Sequence, residues 1–359
     1  MVDIKQLSSD VKVNVAKRPN LEVIAHDAGH GRAIMSELYD MFYLHGPGNG
    51  TMLSLPFDQL VEHGVGHAVY NETSADPRAV INLANRGVFS ALALSIGQAQ
   101  RYQNLIRPDL PLIVKVDGHL LVGKEVDHPR MATMASVEKA LEVGANAIGY
   151  TFYIGGEATQ EDFERVCAIT EEAHRHGKPV FMWAYSRGPF VDQMGAASLY
   201  WSAQGVSVAG SIGADVVKFK YPERPKDLAF YKGAMDKKGY LGSKMPEVVR
   251  FFDPAVEIQD DKAEYDDEMQ VRRAALCAAI EPNLLKINSG GPRTPNIDGL
   301  LKMVGWTMDG GNEGVIVGRQ VWSRELKEAL EWNAAIVEVM RQEKYHRPLK
   351  EQRFAGYKP

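Results

Sequence analysis

The chain has 359 residues, of which 45% are hydrophobic and 24% charged, and its formal net charge is −5. These values are typical of a soluble globular protein with enough apolar residues to bury a full core. The mild acidic excess and the lack of a basic stripe argue against nucleic acid or an anionic membrane surface as the main partner.

The N-terminal stretch MVDIKQLSSDVKV lacks an apolar signal core, and no apolar run approaches the roughly 20 residues of a membrane span. The two cysteines, Cys167 and Cys277, each lie in a segment that is predicted to be helical. This usage argues against a disulfide framework and fits a reducing compartment. We therefore expect a cytoplasmic protein.

Residues 1–50 precede the first predicted strand and form an N-terminal extension, with a helix expected around Ala33 to Leu44. From residue 51 onward, short apolar runs alternate with longer amphipathic segments, which indicates strands followed by helices. Glycines stand where helices should end before the next strand, namely Gly87, Gly144, Gly177 and Gly213. The predicted strands are 51–58, 87–95, 110–117, 146–153, 179–185, 214–220, 284–291 and 313–319.

Eight strands, each followed by a helix, form the pattern of a (β/α)8 TIM barrel. A doubly wound open sheet is the main alternative, but it needs a glycine-rich turn after its first strand, where this chain has QLVEHG at 59–64. The sequence therefore predicts an α/β barrel as the catalytic domain at 51–340. A long insertion follows strand six at 221–268, and a C-terminal tail covers 341–359.

The sixth predicted strand holds two lysines in the stretch ADVVKFKYP (214–222). Because residues i and i+2 of a strand share a face, Lys218 and Lys220 should lie side by side. Lysine is ordinarily protonated at neutral pH. A partly buried barrel lumen and neighbouring cations, such as Lys220, Lys115 or Arg187, would favour the neutral amine that attacks carbonyl carbon. The alternative, equally compatible with the strand alone, is that both lysines reach solvent.

Other polar groups follow strand ends, where barrel enzymes place their reactive residues. Strand one ends in Asp58, and strand five ends in WAYSR (183–187). Alternate residues of that stretch, Trp183, Tyr185 and Arg187, should face the lumen. A phenol beside a cation can transfer protons, although aromatic core filling with a surface arginine is the simpler explanation for this stretch by itself.

Strands seven and eight end in the glycine-rich stretches NSGG (288–291) and VGR (317–319). Barrels often bind phosphate at these two strands, because glycines let backbone N–H groups approach the anion. A serine hydroxyl and an arginine fork add side-chain donors. We therefore predict a phosphate site rather than mere tight turns, with the residues Ser289, Gly290, Gly291, Gly318 and Arg319.

Two histidine pairs have a four-residue spacing, His26 with His30 and His63 with His67. Such a spacing suits a metal ion only on a helix, and both stretches are glycine-rich without a third ligand or a cysteine cluster. We therefore expect no metal.

These motifs together resemble the archaeal-type class I fructose-bisphosphate aldolases, which also occur in bacteria. The resemblance implies a (β/α)8 barrel and a homo-oligomer. It also implies metal-free, reversible Schiff-base cleavage of fructose 1,6-bisphosphate, a step of glycolysis and gluconeogenesis. The matching stretches are LPFDQLVEHG (55–64), LIVKVDG (112–118), AIGYTFYIG (147–155), WAYSR (183–187), GADVVKFKY (213–221), INSGGP (287–292) and GVIVGRQVW (314–322).

By the resemblance, Lys218 is similar to the Schiff-base lysine, Tyr185 to the general acid/base and Asp58 to the carboxylate that acts on substrate hydroxyls. The remaining expected substrate- or phosphate-binding residues are Trp183, Arg187, Lys115, Ser289, Gly290, Gly291, Gly318 and Arg319. The chain departs from the pattern at Gln59, where histidine is frequent, and at Asp117, where asparagine is common. Alternatives are a related Schiff-base aldolase or phospho-diketone thiolase, a metal-dependent aldolase, and a non-catalytic sugar-phosphate-binding barrel.

Overall fold

The computed structural model describes residues 31–58, 60–64, 74–120, 129–245, 250, 253–258, 260 and 262–347. Eight parallel strands close into a barrel in which neighbours in space are also neighbours along the chain. This arrangement confirms the predicted (β/α)8 TIM barrel. The strands are β1 (Met52–Phe57), β2 (Ala91–Ser95), β3 (Leu112–Lys115), β4 (Ala147–Ile154), β5 (Val180–Ser186), β6 (Val216–Lys220), β7 (Leu285–Ser289) and β8 (Gly314–Ile316).

Helices surround the barrel and cover the ends of its strands. They are α1 (Arg32–Tyr39), α2 (Leu60–His63), α3 (Pro77–Arg86), α4 (Ile96–Tyr102), α5 (Val137–Glu142), α6 (Thr159–Arg175), α7 (Pro189–Met194), α8 (Leu199–Ile212), α9 (Leu228–Met235), α10 (Pro254–Glu257), α11 (Asp267–Ala279), α12 (Asp298–Asp309), α13 (Arg319–Trp322) and α14 (Leu326–Met340). A π-helical turn, Asp40–Leu44, continues α1, and the 3-10 turns Gln103–Leu105 and Glu343–Tyr345 follow α4 and α14. A short antiparallel pair, Asp117–Gly118 with Ala132–Thr133, follows β3 and was not predicted.

Local sequence sets the helix ends. The side chain of Asp76 accepts a hydrogen bond from the backbone N–H of Arg78, and Pro77 takes the first helical position of α3, where its missing N–H is harmless. Of the glycines predicted to end helices, Gly144, Gly177 and Gly213 adopt positive φ angles, which side-chain-bearing residues rarely adopt. Gly87 instead has an extended backbone, with φ at −81°.

Alternate residues of the strands fill the barrel lumen, and the lower part of this filling is apolar. It includes Met52, Ile113, Phe181, Val216 and Ile287, all of them buried. Such a packed floor holds the polar residues near the strand ends in place from below.

The end of the barrel at the N-termini of its strands is closed by the chain that precedes β1. Ile34 and Leu38 of α1 are buried, and Met41 and Phe42 of the π-helical turn are fully buried. The helix expected around Ala33 to Leu44 is therefore present. The hydroxyl of Tyr43 donates to the backbone oxygen of Arg347, 3.0 Å away, which joins this plug to the chain after α14.

The segment between β6 and α11 contains α9 and α10. The hydroxyl of Tyr231 donates to the buried carboxylate of Asp253, which ties the two helices together. The limits proposed for the extension, the insertion and the tail stay predictions, and residues 1–30 and 348–359 lie outside the described residues. Cys167 on α6 and Cys277 on α11 are free thiols. Within the described ranges, no helix combines the length and apolar character needed to cross a bilayer.

Candidate active site

A pocket of about 440 Å³, part of it open to solvent, lies at the C-terminal ends of the barrel strands. All the predicted site residues except Lys115 and Arg187 line it. Its walls consist of Pro56, Asp58, Glu62, His63, Trp183, Tyr185, Lys218, Ser289, Gly290, Gly291, Ile316, Gly318 and Arg319. The barrel therefore brings strands one, five, six, seven and eight to one site, as the sequence predicts.

Lys218 points into this pocket rather than toward solvent. Its residue exposure is 7%, and its Nζ lies 5.2 Å from the ring centroid of Trp183 and 5.6 Å from that of Tyr185. Nζ makes no hydrogen bond with the residues that the structure describes. Lys220 reaches the rim, where its Nζ lies 3.9 Å from a carboxylate oxygen of Glu223. The alternative in which both lysines reach solvent is therefore wrong for Lys218.

A glycine on β4 makes room for the indole beneath this amine. Gly149 faces the lumen, and a Cβ atom added there would lie 2.6 Å from the ring of Trp183, closer than real contacts allow. Trp183 pairs with Lys218 in the register of β5 and β6. The absence of a side chain at Gly149 thus lets the indole lie across the lumen below the pocket.

Asp58 follows β1 and is buried, with 4% of its surface exposed. Its Oδ1 atom has no hydrogen-bond partner among the described residues. Burial raises the pKa of Asp58 above its usual value, although the nearby Lys218 and Lys115 act in the opposite direction. This carboxyl is therefore positioned to exchange a proton with a ligand in the pocket.

Glu62 is a second pocket carboxylate, on the short helix α2, and it forms an ion pair with the buried Lys115. Burial alone would raise its pKa, but the attraction of Lys115 outweighs burial, so the pKa of Glu62 is lowered. The pKa values of Asp58 and Glu62 are therefore shifted in opposite directions within one pocket. The sequence reasoning did not assign Glu62 a role, although Glu62 closely follows strand one, where barrel enzymes place reactive residues.

The structure places Lys115 beneath the pocket and not on its wall. Its Nζ pairs with Glu62 and lies 3.2 Å from Oδ1 of Asp117. Burial would lower its pKa, but these carboxylates and Asp58 raise it, so the ammonium is kept. Lys115 therefore acts on the pocket through Glu62, and direct contact of Lys115 with a substrate would require this ion pair to open.

Arg187 lies at the rim of the barrel mouth, where it is half-buried. Its guanidinium carbon is 5.8 Å from the ring centroid of Tyr153 and 5.7 Å from that of Tyr185. Tyr153, on β4, packs edge-on against His119 with centroids 5.4 Å apart. Burial and the neighbouring Glu62 raise the pKa of Tyr153. The sequence reasoning missed Tyr153 and His119, although the period-two pattern of β4 puts Tyr153 on the face of Gly149.

The glycine-rich turns after β7 and β8 form another part of the pocket wall. The N–H of Gly290 donates to the backbone oxygen of Ile316 at 2.9 Å, so Gly290 contributes through its missing side chain rather than as a donor. A Cβ added there would lie 3.2 Å from the side chain of Val317. Gly291 has a φ angle of +73°, which favours glycine.

Of the two histidine pairs noted in the sequence, only His63 lies within the described residues, and it lines the pocket. Its partner in the sequence spacing, His67, and both His26 and His30 lie outside them. The sequence expectation that no metal takes part stays a prediction.

Comparison with known proteins agrees with this geometry. A family model described as DeoC/LacD family aldolase matches residues 52–324. The chain is 28% identical over 306 residues to the class 1 fructose-bisphosphate aldolase of Thermoproteus tenax, covering 85% of this chain and 95% of the relative. It is 28% identical over 281 residues to the enzyme of that name from Halobacterium salinarum, covering 77% and 86%.

A crystal structure of an archaeal fructose 1,6-bisphosphate aldolase superposes with a TM-score of 0.63 at 25% identity, covering 85% of this chain and 99% of that one. The fold and the family match, taken together, define a barrel aldolase. The chain belongs to the DeoC/LacD family of aldolases, and the family resemblance predicted from the motifs is confirmed by the names of these relatives.

Proposed function

We propose that the chain acts as a class I fructose-bisphosphate aldolase, cleaving fructose 1,6-bisphosphate reversibly to dihydroxyacetone phosphate and glyceraldehyde 3-phosphate. The observation that carries the proposal is the amine of Lys218, buried in the pocket without a hydrogen bond to the described residues. A free lysine amine attacks ketone carbon to form a Schiff base. The names of the relatives from Thermoproteus tenax and Halobacterium salinarum support this substrate.

In the proposed reaction, the free amine of Lys218 adds to the C2 carbonyl, and loss of water leaves a protonated imine. A base then takes the proton of the C4 hydroxyl while the electron pair of the C3–C4 bond moves into the imine. Asp58 is our candidate for this base, because its raised pKa helps it to hold the proton. Glyceraldehyde 3-phosphate leaves, and an enamine remains on Lys218.

Tyr185 is the candidate that protonates the enamine at C3, since its ring lies 5.6 Å from the Lys218 amine. Addition of water then releases dihydroxyacetone phosphate and regenerates the amine. Trp183 would form the wall below the imine. Glu62 would supply a fixed negative charge beside the cationic imine, because Lys115 lowers its pKa.

The phosphate of the ketone half is proposed to bind between the turns after β7 and β8, where Ser289 offers a hydroxyl and Arg319 a guanidinium. Gly290, Gly291 and Gly318 would leave room for the anion. Arg187, at the rim on the far side of Tyr185 from Trp183, is the candidate for the second phosphate.

Borohydride trapping tests the proposal. Reduction in the presence of dihydroxyacetone phosphate should add the mass of one reduced adduct, on the peptide that contains Lys218. Lys218→Ala should gain no adduct and lose cleavage, whereas Lys220→Gln, the matched change two residues along the strand, should still be trapped. An adduct elsewhere, or normal cleavage by Lys218→Ala, would refute the mechanism.

Two further measurements test which substrate is preferred and whether the reaction needs a metal. Cleavage rates across phosphorylated ketoses should be highest for fructose 1,6-bisphosphate; a higher rate for another substrate would favour a related Schiff-base aldolase. We also propose that the reaction needs no metal, so cleavage in EDTA should be undiminished. A homo-oligomer in the cytoplasm stays a prediction.

A further inference from the structure

A series of ion-paired side chains, buried or nearly so, connects the outer helix layer with the pocket. Arg165 lies on α6, and its NH1 donates to Oδ2 of Asp117 at 2.8 Å. The other oxygen of Asp117 lies 3.2 Å from Nζ of Lys115, and Lys115 pairs with Glu62 on the pocket wall. Positive and negative groups therefore alternate over four side chains from α6 to the pocket.

Arg165, at the outer end of this series of charged side chains, is held by several further hydrogen bonds. The guanidinium of Arg165 also donates to both carboxylate oxygens of the buried Asp162, at 2.5 and 2.9 Å, and to the backbone oxygen of Thr151 at 2.9 Å. The N–H of Thr151 donates in turn to Asp117. A planar guanidinium whose N–H groups are bonded to several acceptors has little freedom to move.

We propose that Arg165 is a positioning residue of the aldol reaction, which holds Asp117 from the helix layer and so leaves Lys115 to pair with Glu62 beside the amine of Lys218. This inference rests on the proposed aldolase function. It assigns a role in the reaction to a residue that does not line the pocket.

The physical reason is the balance of charge around Lys115. With Arg165 in place, Asp117 has two cationic partners and Lys115 can approach Glu62. Without Arg165, Lys115 is the nearest cation to both carboxylates, and its single positive charge cannot neutralise the two of them. The net charge of the cluster is then lower by one, so the pKa values of its carboxyls rise. Among the residues that the structure describes, the charged and titratable groups that face Glu62 from the surrounding elements are Asp58, His63, Lys115, Asp117, Tyr153 and Lys218.

The test is the pH dependence of kcat for cleavage of fructose 1,6-bisphosphate. In Arg165→Gln, we expect the midpoint of the acid limb to move up by about one pH unit, with KM unchanged because Arg165 does not touch the substrate. The double variant Arg165→Gln/Asp117→Asn removes one charge of each sign and should return the midpoint to that of the unaltered chain. Arg175→Gln, on the same helix but paired only with the surface carboxylates of Glu171 and Glu172 among the described residues, should leave the midpoint in place.

Asp117→Asn keeps the test decisive if Arg165→Gln does not fold. It removes a negative charge, so the midpoint should move down, and adding Arg165→Gln should bring it back. An unchanged midpoint in either single variant, or a double variant displaced as far as a single one, would overturn the inference. If the unaltered chain gives neither cleavage nor a borohydride adduct, the proposed function fails; if it does both and the midpoints do not move, only the role of Arg165 fails.

Discussion

The two ends of the barrel bury the same kinds of charged group in different ways. Lys286 and Lys218 lie on the adjacent strands β7 and β6. The ammonium of Lys286, near the start of its strand, donates to the backbone oxygens of Glu281 and Leu284 at 2.6 and 2.8 Å. The amine of Lys218, near the end of its strand, lies over aromatic rings and makes no hydrogen bond with the described part of the chain.

Two buried aspartates show the same contrast. Oδ2 of Asp215, just before β6, accepts hydrogen bonds from the N–H of Val180 at 2.6 Å and from His174 at 2.9 Å. Oδ1 of Asp58, just after β1, has no partner among the described residues. Buried polar groups are normally hydrogen-bonded, since an unpaired one is costly. At the closed end the fold therefore holds the Lys286 ammonium and Oδ2 of Asp215, while at the open end the amine of Lys218 and Oδ1 of Asp58 stay without a hydrogen bond among the described residues.

Of the two aspartates, the larger expected effect comes from Asp58→Asn, which should lower kcat by roughly 10²–10⁴-fold because it removes the proposed base. It should also stabilise the protein at neutral pH. The fold raises the pKa of Asp58 above its ordinary value of 3.8, so the contribution of Asp58 to stability is full below that value and is lost as the pH rises through the folded pKa. The gap in Tm between Asp58→Asn and the unaltered chain should therefore open as the pH rises.

Asp215→Asn is the matched control at the closed end, where the same substitution removes the charge of a carboxylate whose Oδ2 accepts two hydrogen bonds. Its Tm should fall at neutral pH, opposite in sign to Asp58→Asn. If Asp58→Asn also lowers the Tm at neutral pH, the distinction between the two ends is wrong.

The next predictions concern substitutions of the two buried lysines, Lys286 and Lys218. Lys286→Met should lower the free energy of unfolding by about 3 kcal/mol, because the buried backbone oxygen of Leu284 and the part-buried one of Glu281 lose a charged donor. The kcat of the folded protein should stay unchanged, since Lys286 lies at the other end of the barrel. Denaturant unfolding measures the first quantity and steady-state cleavage the second. Lys218→Met is the counterpart, and it should abolish cleavage without lowering stability; a larger loss of stability at Lys218 than at Lys286 would contradict the comparison.

The eight strands and most of the pocket could be predicted from the sequence, because the face of a strand follows from a period of two and reactive groups gather at strand ends. This reasoning placed Lys218, Tyr185 and Asp58 together, and the structure has all three on the pocket wall. The sequence reasoning did not predict that Lys115 lies beneath the pocket and Lys218 on its wall, since both are lysines near a strand end. The difference between the two lysines is Glu62, which the turn after β1 and the closure of the barrel bring next to Lys115. The pattern of a single strand does not encode what faces a residue across the lumen.

The smallest expected effect lies at the closed end. His174→Gln keeps an amide that can hydrogen-bond to Asp215 but cannot become charged. The hydrogen bond to Asp215 raises the pKa of His174 above its ordinary value of 6.5, although partial burial opposes it. Because the folded pKa is raised, the stabilisation is fully present below 6.5 and is lost as the pH rises through the folded value. The unaltered chain should thus exceed His174→Gln by at most about 1 kcal/mol at about pH 5.5, since the ring is partly exposed.

That advantage should shrink toward about pH 9, where the imidazole is neutral in both the folded and the unfolded chain. Thermal unfolding at the two pH values measures it, and cleavage by His174→Gln should be unchanged because the pair lies at the opposite end from the pocket. His176→Gln, a more exposed histidine just after the same helix, pairs with Glu172 and serves as the control for surface charge. An advantage that grows with pH would mean that the imidazole is not held as a cation by Asp215, and the closed end would then support the fold through uncharged hydrogen bonds and apolar packing.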